Sequence, residues 1–172
     1  MSTFIERIIR AAKLDVNLYE EVEADKSAMK QAMGVVVLSS LALGIGSLGG
    51  VRDNGIIMGV IAALVGWFIW AYITYFIGTK LLPEPQTSAD HGELLRTIGF
   101  SSSPGLIRIL GIVPGLWQIV NPIALIWMLI AMIIAVRQAL DYRSTLRAIS
   151  VCIIGWIVQV VLLGIVYILF KG

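Results

Sequence analysis

The run from Leu94 to Val113, LLRTIGFSSSPGLIRILGIV, limits what this chain can fold into more than any other stretch. Its 20 residues, wound as a helix, would cover roughly 30 Å, the thickness of a bilayer's hydrocarbon core. It is nevertheless a poor membrane helix. Ser101, Ser102 and Ser103 fall at its middle, Pro104 follows at once, Gly99, Gly105 and Gly111 punctuate it, and Arg108 lies near its far end. Pro104 has no N–H to offer the carbonyl of Phe100, so the helix is expected to kink or unwind there. In hydrocarbon a freed backbone group costs several kcal/mol unless a partner restores its hydrogen bond. Such a segment is tolerated only where other helices or enclosed water surround it. The expectation is a bundle with this broken segment inside and smoother apolar helices around it.

Four smoother segments are present, at about Ala28–Leu48, Ile56–Leu82, Pro122–Ala139 and Leu146–Phe170. The chain is 58% hydrophobic, against about 45–50% for soluble domains. The predicted fold is therefore all-α: a polytopic membrane bundle of five transmembrane helices, the third broken at Pro104. Small residues recur where helices could approach closely, at Ser40 and Gly44, in the Gly46–Gly50 pair, and at Gly55, Gly59 and Ala63. The stretch 49–55, GGVRDNG, reads as a turn. Trp67, Trp70, Tyr72 and Tyr75 read as packing and interface anchors. PGLWQIVNP, residues 114–122, reads as a re-entrant or interfacial turn, with Asn121 capping the next helix and Pro122 at its first position.

The first 27 residues differ in character and form a separate unit, 1–27, ahead of a transmembrane domain at 28–172. In TFIERIIRAAK, Phe4, Ile5, Ile8, Ile9 and Ala12 share one helical face and Glu6, Arg7, Arg10 and Lys13 the other. That pattern suits an amphipathic helix lying in the membrane interface. No apolar core of a signal peptide is present. DVNLYEEVEAD follows, with Asp15, Glu20, Glu21, Glu23 and Asp25. It reads as a solvated acidic linker or as a docking surface for basic groups. As a docking surface it comprises Tyr19, Glu20, Glu21 and Glu23 with Arg137, Arg143 and Arg147, and Arg96 is a further candidate for pairing with the acids.

Charge sets the orientation. Five spans with a cytoplasmic N-terminus put Arg7, Arg10, Lys13, Lys26, Lys30, Lys80, Arg96, Arg137, Arg143 and Arg147 inside, and only Arg52, Arg108 and Lys171 outside. This bias predicts N-terminus in and C-terminus out.

Chemistry-bearing patterns are missing from the sequence. It contains no nucleophile elbow, phosphate-binding glycine loop, zinc-ligand spacing or paired carboxylates in an apolar run. His91 is the lone histidine and reads as part of a solvated loop; Cys152 is the lone cysteine. No catalytic residue, cofactor or metal is expected, and a net charge of +2 makes no case for nucleic acid. Arg108 is read as snorkelling to the outer interface, near Asp53. Gln159, near the centre of the last span, needs partners that lipid cannot supply. The third and fifth spans are therefore expected to be neighbours, with Gln159 facing Ser101, Ser102, Ser103 and Pro104.

The run GELLRTIGFSSSPGLIRILGIVPG, the helix holding Trp127, and AVRQALDYRSTLRAI together resemble the bacterial branch of the Yip family, as does YEEVEAD ahead of the first span. The family takes its name from eukaryotic members that interact with Rab-type GTPases. The resemblance implies five membrane helices, a cytoplasmic N-terminus and the bacterial cytoplasmic membrane, and it brings no catalytic residues. Eukaryotic members carry a longer N-terminal region than the 27 residues here, so Rab binding is not implied. The functional expectation is a membrane-organising or scaffold protein. An accessory subunit of a larger membrane complex and a small-solute permease or channel are the alternatives. Its partners would be the lipid bilayer and either another membrane protein or a second copy of itself.

Overall fold

The computed structural model describes residues 2–47 and 53–171. Leu48, Gly50, Arg52 and most of the turn at 49–55 lie outside the described residues. The described elements are helical, without a strand among them. They are α1 (Phe4–Ala12), α2 (Val16–Ala24), α3 (Met29–Gly46), α4 (Asp53–Phe76), α5 (His91–Phe100), α6 (Trp117–Ala139) and α7 (Thr145–Lys171). A 3-10 turn, Lys26–Ala28, leads into α3, and one π-wound stretch, Ile77–Leu81, prolongs α4. Four helical stretches among these residues are long and apolar enough to cross a membrane: Lys26–Gly46, Gly55–Leu81, Trp117–Ala139 and Thr145–Leu162.

The segment expected as the third crossing is the broken one. The α-helix stops at Phe100, and from Ser103 to Ile112 the chain winds as a 3-10 helix with Pro104 in its first turn. That position suits proline, whose missing N–H would have had no helical partner there. Ten residues of 3-10 helix is long, since such runs seldom exceed a few residues, and its steeper rise of about 2.0 Å per residue stretches the segment. The register shows that it runs beside α3 along the whole of that helix. Gly99 packs on Ala32, Gly105 on Ser39, and Gly46 on Arg108 and Gly111. Helix α6 returns in the opposite sense, with Trp117 against Gly46 and Gly111 and Met128 against Gly105. Helix α7 sets Gly155 against Trp70 and Ile73 of α4. The α1–α2 arm and the α4–α5 and α6–α7 connections thus share one end of the bundle.

Two expectations about local structure are corrected. The acidic stretch is helix α2, not a linker: Asp15 caps it, and Leu18, Tyr19 and Val22 are fully buried against the bundle. Their spacing gives the helix an apolar stripe, and burial of that stripe outweighs the repulsion of acids on its other face. Helix α6 starts at Trp117, so Pro122 lies inside it and PGLWQIVNP is mostly helix. Pro122 is the sixth residue of α6, past the N–H groups that lack helical acceptors, so it leaves the carbonyl of Gln118 without its helical donor. The main core lies at the α1–α2 end, joining Leu18 and Val22 to Leu94, Ile98, Ala135, Leu140 and Val151. The outward faces of α4, α6 and α7 expose Ile57, Ile126 and Ile157, as helices bounded by lipid would.

Candidate functional site

Two regions hold the polar residues singled out by the sequence. The first is the end of the bundle that carries α1 and α2. Thr3 and Glu6 form a reciprocal cap at the start of α1, and a tight turn at Leu14, with φ of 62°, folds α2 back beside it. Arg7 is buried at the joint. Its guanidinium donates to Glu21 (3.0 Å), Asp25 (2.8 Å) and Gln31 (2.9 Å). Arg10 pairs with Asp15 at 2.7 Å and also with Glu21. A hydrogen bond from Ser2, reinforced by those from Arg10 and Arg7, holds the Glu21 carboxyl down at about 2. The acids therefore take their arginine partners from α1, and none forms an ion pair with Arg96, Arg137, Arg143 or Arg147 among the described residues. Sequence spacing held the signal for this. Phe4, Arg7 and Ala11 stand three and four apart, which puts Arg7 beside the packing stripe of α1.

Arg96 still fastens the arm to the bundle. It is buried on α5 and donates to the backbone carbonyls of Val22 (2.9 Å) and Glu23 (3.1 Å) at the end of α2. Glu23 is poorly solvated there; burial, with Asp141, Glu93 and Glu20 nearby, raises its carboxyl to about 7. Tyr19 is fully enclosed, and burial raises its phenol. Of the seven residues proposed for docking, Glu20, Glu23, Arg137 and Arg143 line one groove of about 330 Å³ with Gln138 and Asp141. Gln138 donates to Glu20 at 2.8 Å. Arg147 lies in a neighbouring hollow, 3.6 Å from Glu84, and Glu21 faces α1. His91 begins α5, with its ring edge-to-face against Phe68, Tyr72 and Tyr75; it is no part of a solvated loop.

The second region is a cavity of about 700 Å³ between α3, α4, the broken segment, α6 and α7. Ser102, Gln159 and Arg108 line it, with Ser39 and Ser40 of α3. Ser101 and Ser103 do not line it: the Ser101 hydroxyl donates to the carbonyl of Ile98 at 2.7 Å, and Ser103 is buried. Pro104 is buried at the head of the 3-10 helix. Helix α7 packs on α4 and α6 and faces the broken segment across the cavity. Gln159 and Ser102 thus share a cavity without a direct hydrogen bond among the described residues. Arg108 overturns its reading. It is 6% exposed, so it does not snorkel outward, and the side chain of Asp53 lies outside the described residues.

The architecture has a counterpart among known families. A family model described as the Yip1 domain matches residues 24–167. The chain belongs to the Yip1 family. Neither a curated protein nor a solved structure matches it. The matched Yip1 domain takes in α3 to α6, most of α7 and the cavity, and starts at the last residue of α2. With four apolar helices of crossing length in this Yip1 protein, the chain is an integral, multi-pass membrane protein. The α1 arm, which supplies Arg7 and Arg10, lies outside the matched span.

Proposed function

We propose that the protein is a non-catalytic membrane-organising scaffold that works from the α1–α2 end, and that this end faces the cytoplasm at a bacterial cytoplasmic membrane. The observation carrying this reading is the arm itself. Arg7 and Arg10 tie α1 to α2, and Arg96 ties α2 to the bundle. A surface already held in place loses little conformational freedom when a partner docks. The docking surface is the mixed-charge groove of Glu20, Glu23, Arg137 and Arg143, which suits a membrane-protein partner with complementary charges or a second copy of the chain.

Co-purification in mild detergent tests the scaffold reading. A stoichiometric partner or dimer should be lost in the charge-reversed pair Glu20→Lys and Arg143→Glu. A partner that stays bound to that variant would put the docking surface elsewhere. A partner surviving as a fixed-stoichiometry assembly through every purification step would favour the accessory-subunit reading. The permease reading draws on the cavity beside the broken segment. Its wall holds one charged side chain amid mainly apolar ones, a poor lining for hydrated solutes. Solute flux in proteoliposomes above that of empty vesicles would replace the scaffold reading.

A further inference from the structure

The cavity contains a charge that no described residue answers. Among the described residues Arg108 is the sole ionised one in the lining; it is 6% exposed, and its Nε has no hydrogen-bond partner among them. No described carboxylate pairs with it. A buried guanidinium without an anion is costly, because desolvation is not repaid by any attraction. Trp70, another lining residue, also has its indole N–H buried and unpartnered. The remaining wall is largely apolar, with Val36, Met128, Met132 and Ile153 among it. On α7 the lining extends from Ile149 to Gln159, about 15 Å along the helix. The chemistry asked for is one negative charge attached to a long apolar body.

The far halves of α4 and α7 supply the entrance. From Trp156 to Leu162 every residue except Gln159 is exposed, so this part of α7 has no packed face. No described residue of α4 before Trp67 is buried. A Cβ added at Gly66, in the cavity wall, would meet nothing within 4 Å. Arg108 stands beside Gly46, at the end of α3 opposite the end where Gly34 meets Phe4 of the arm. A headgroup at that level belongs to the leaflet opposite the arm.

We propose that this cavity binds one anionic phospholipid, entering sideways between α4 and α7 with its phosphate on Arg108 and one acyl chain along the apolar wall. The planar guanidinium fork matches a phosphate bidentately. A headgroup of net charge −1 neutralises the site, whereas a zwitterionic headgroup leaves the arginine's charge uncancelled. The proposal is independent of the scaffold reading, which concerns the other end of the molecule.

The full-length protein in neutral detergent, titrated with phosphatidylglycerol or chain-matched phosphatidylcholine and read by native mass spectrometry, tests it. One phosphatidylglycerol should bind per chain, about tenfold or more tighter than phosphatidylcholine. Arg108→Gln should erase that preference. Gly66→Leu, which fills the cavity and leaves Arg108 in place, should weaken phosphatidylglycerol about tenfold. Millimolar inorganic phosphate should not displace the lipid. Equal affinity for the two lipids, or an unchanged preference in Arg108→Gln, would overturn the proposal. Should Arg108→Gln fail to fold, Gly66→Leu decides, because undiminished binding there would put the lipid outside the cavity. Displacement by inorganic phosphate would mark a free-anion site and overturn it too.

Discussion

Gly46 and Arg108 meet backbone to backbone. A Cβ placed on Gly46 would overlap the carbonyl oxygen of Arg108, so the 3-10 segment can lie against α3 only because position 46 has no side chain. Gly46→Ala must push the two helical segments apart and should cost about 1–3 kcal/mol. Gly59→Ala is the matched control. Nothing lies within 4 Å of its added Cβ, and alanine favours a helix by up to about 1 kcal/mol. Thermal unfolding in detergent should rank Gly46→Ala well below both wild type and Gly59→Ala; equal midpoints would count against this packing.

Gly105 and Gln159 make a second contrast. A Cβ at Gly105 would overlap Ser39 Oγ and come within 2.8 Å of Met128 Sδ. Gln159 reaches only the cavity, with no direct protein partner among the described residues. Gly105→Leu should therefore destabilise the protein strongly. Gln159→Leu should cost no more than the ~0.6 kcal/mol typical of interhelical polar contacts in membranes. The same unfolding measurement orders them, and a larger loss for Gln159→Leu would contradict the arrangement.

Arg7 holds the arm. Replacing it with methionine takes one partner from each of Glu21 and Asp25, which are partly exposed, so the cost should be about 1–3 kcal/mol, felt mainly as release of α1 and α2. Limited proteolysis should cut Arg7→Met within residues 2–27 under conditions that leave wild type intact. The Glu21 carboxyl, held near 2 against an ordinary 4.5, adds stability that is complete above pH 4.5 and is lost as pH falls through about 2. Wild-type docking should thus weaken on acidification, and Glu21→Gln should show a shallower loss over that window.

Glu23 has the opposite sign. Its carboxyl is raised to about 7 from 4.5, so the folded protein holds a proton that the unfolded chain releases in that interval. The contribution is fully present below pH 4.5 and disappears as pH rises through about 7. Glu23→Gln should flatten the fall in thermal midpoint between pH 4.5 and about pH 7. An unchanged slope in the variant would mean that Glu23 titrates as an ordinary carboxylate.

Topology follows from the charge bias and the number of crossings. Reporter fusions at Gln86 and Lys171 should read opposite compartments, with Gln86 cytoplasmic. A cytoplasmic signal at Lys171 would exclude this orientation with five crossings.

Much of this was legible in the sequence, for reasons that differ from residue to residue. Pro104 announces its break because a missing N–H acts locally, whatever surrounds it. The membrane helices are legible because hydrocarbon demands long apolar runs. The partners of the acids were not, because the chain offers many arginines and only the turn at Leu14 brings Arg7 and Arg10 within reach of Glu21. The buried stripe Leu18–Tyr19–Val22 was masked by the acids around it, although its spacing is helical.

Arg108 shows where the two kinds of information part. The sequence by itself determined a helical membrane bundle with a broken third segment, since hydropathy and proline sterics need no knowledge of neighbours. It could not determine which way Arg108 points. A 3-10 helix turns about 120° per residue and an α-helix about 100°, so from Ser103 to Arg108 the two windings diverge by roughly 100°. Only packing against Gly46 and Ser39 selects the tighter winding, and with it a guanidinium turned into the cavity instead of toward the membrane surface.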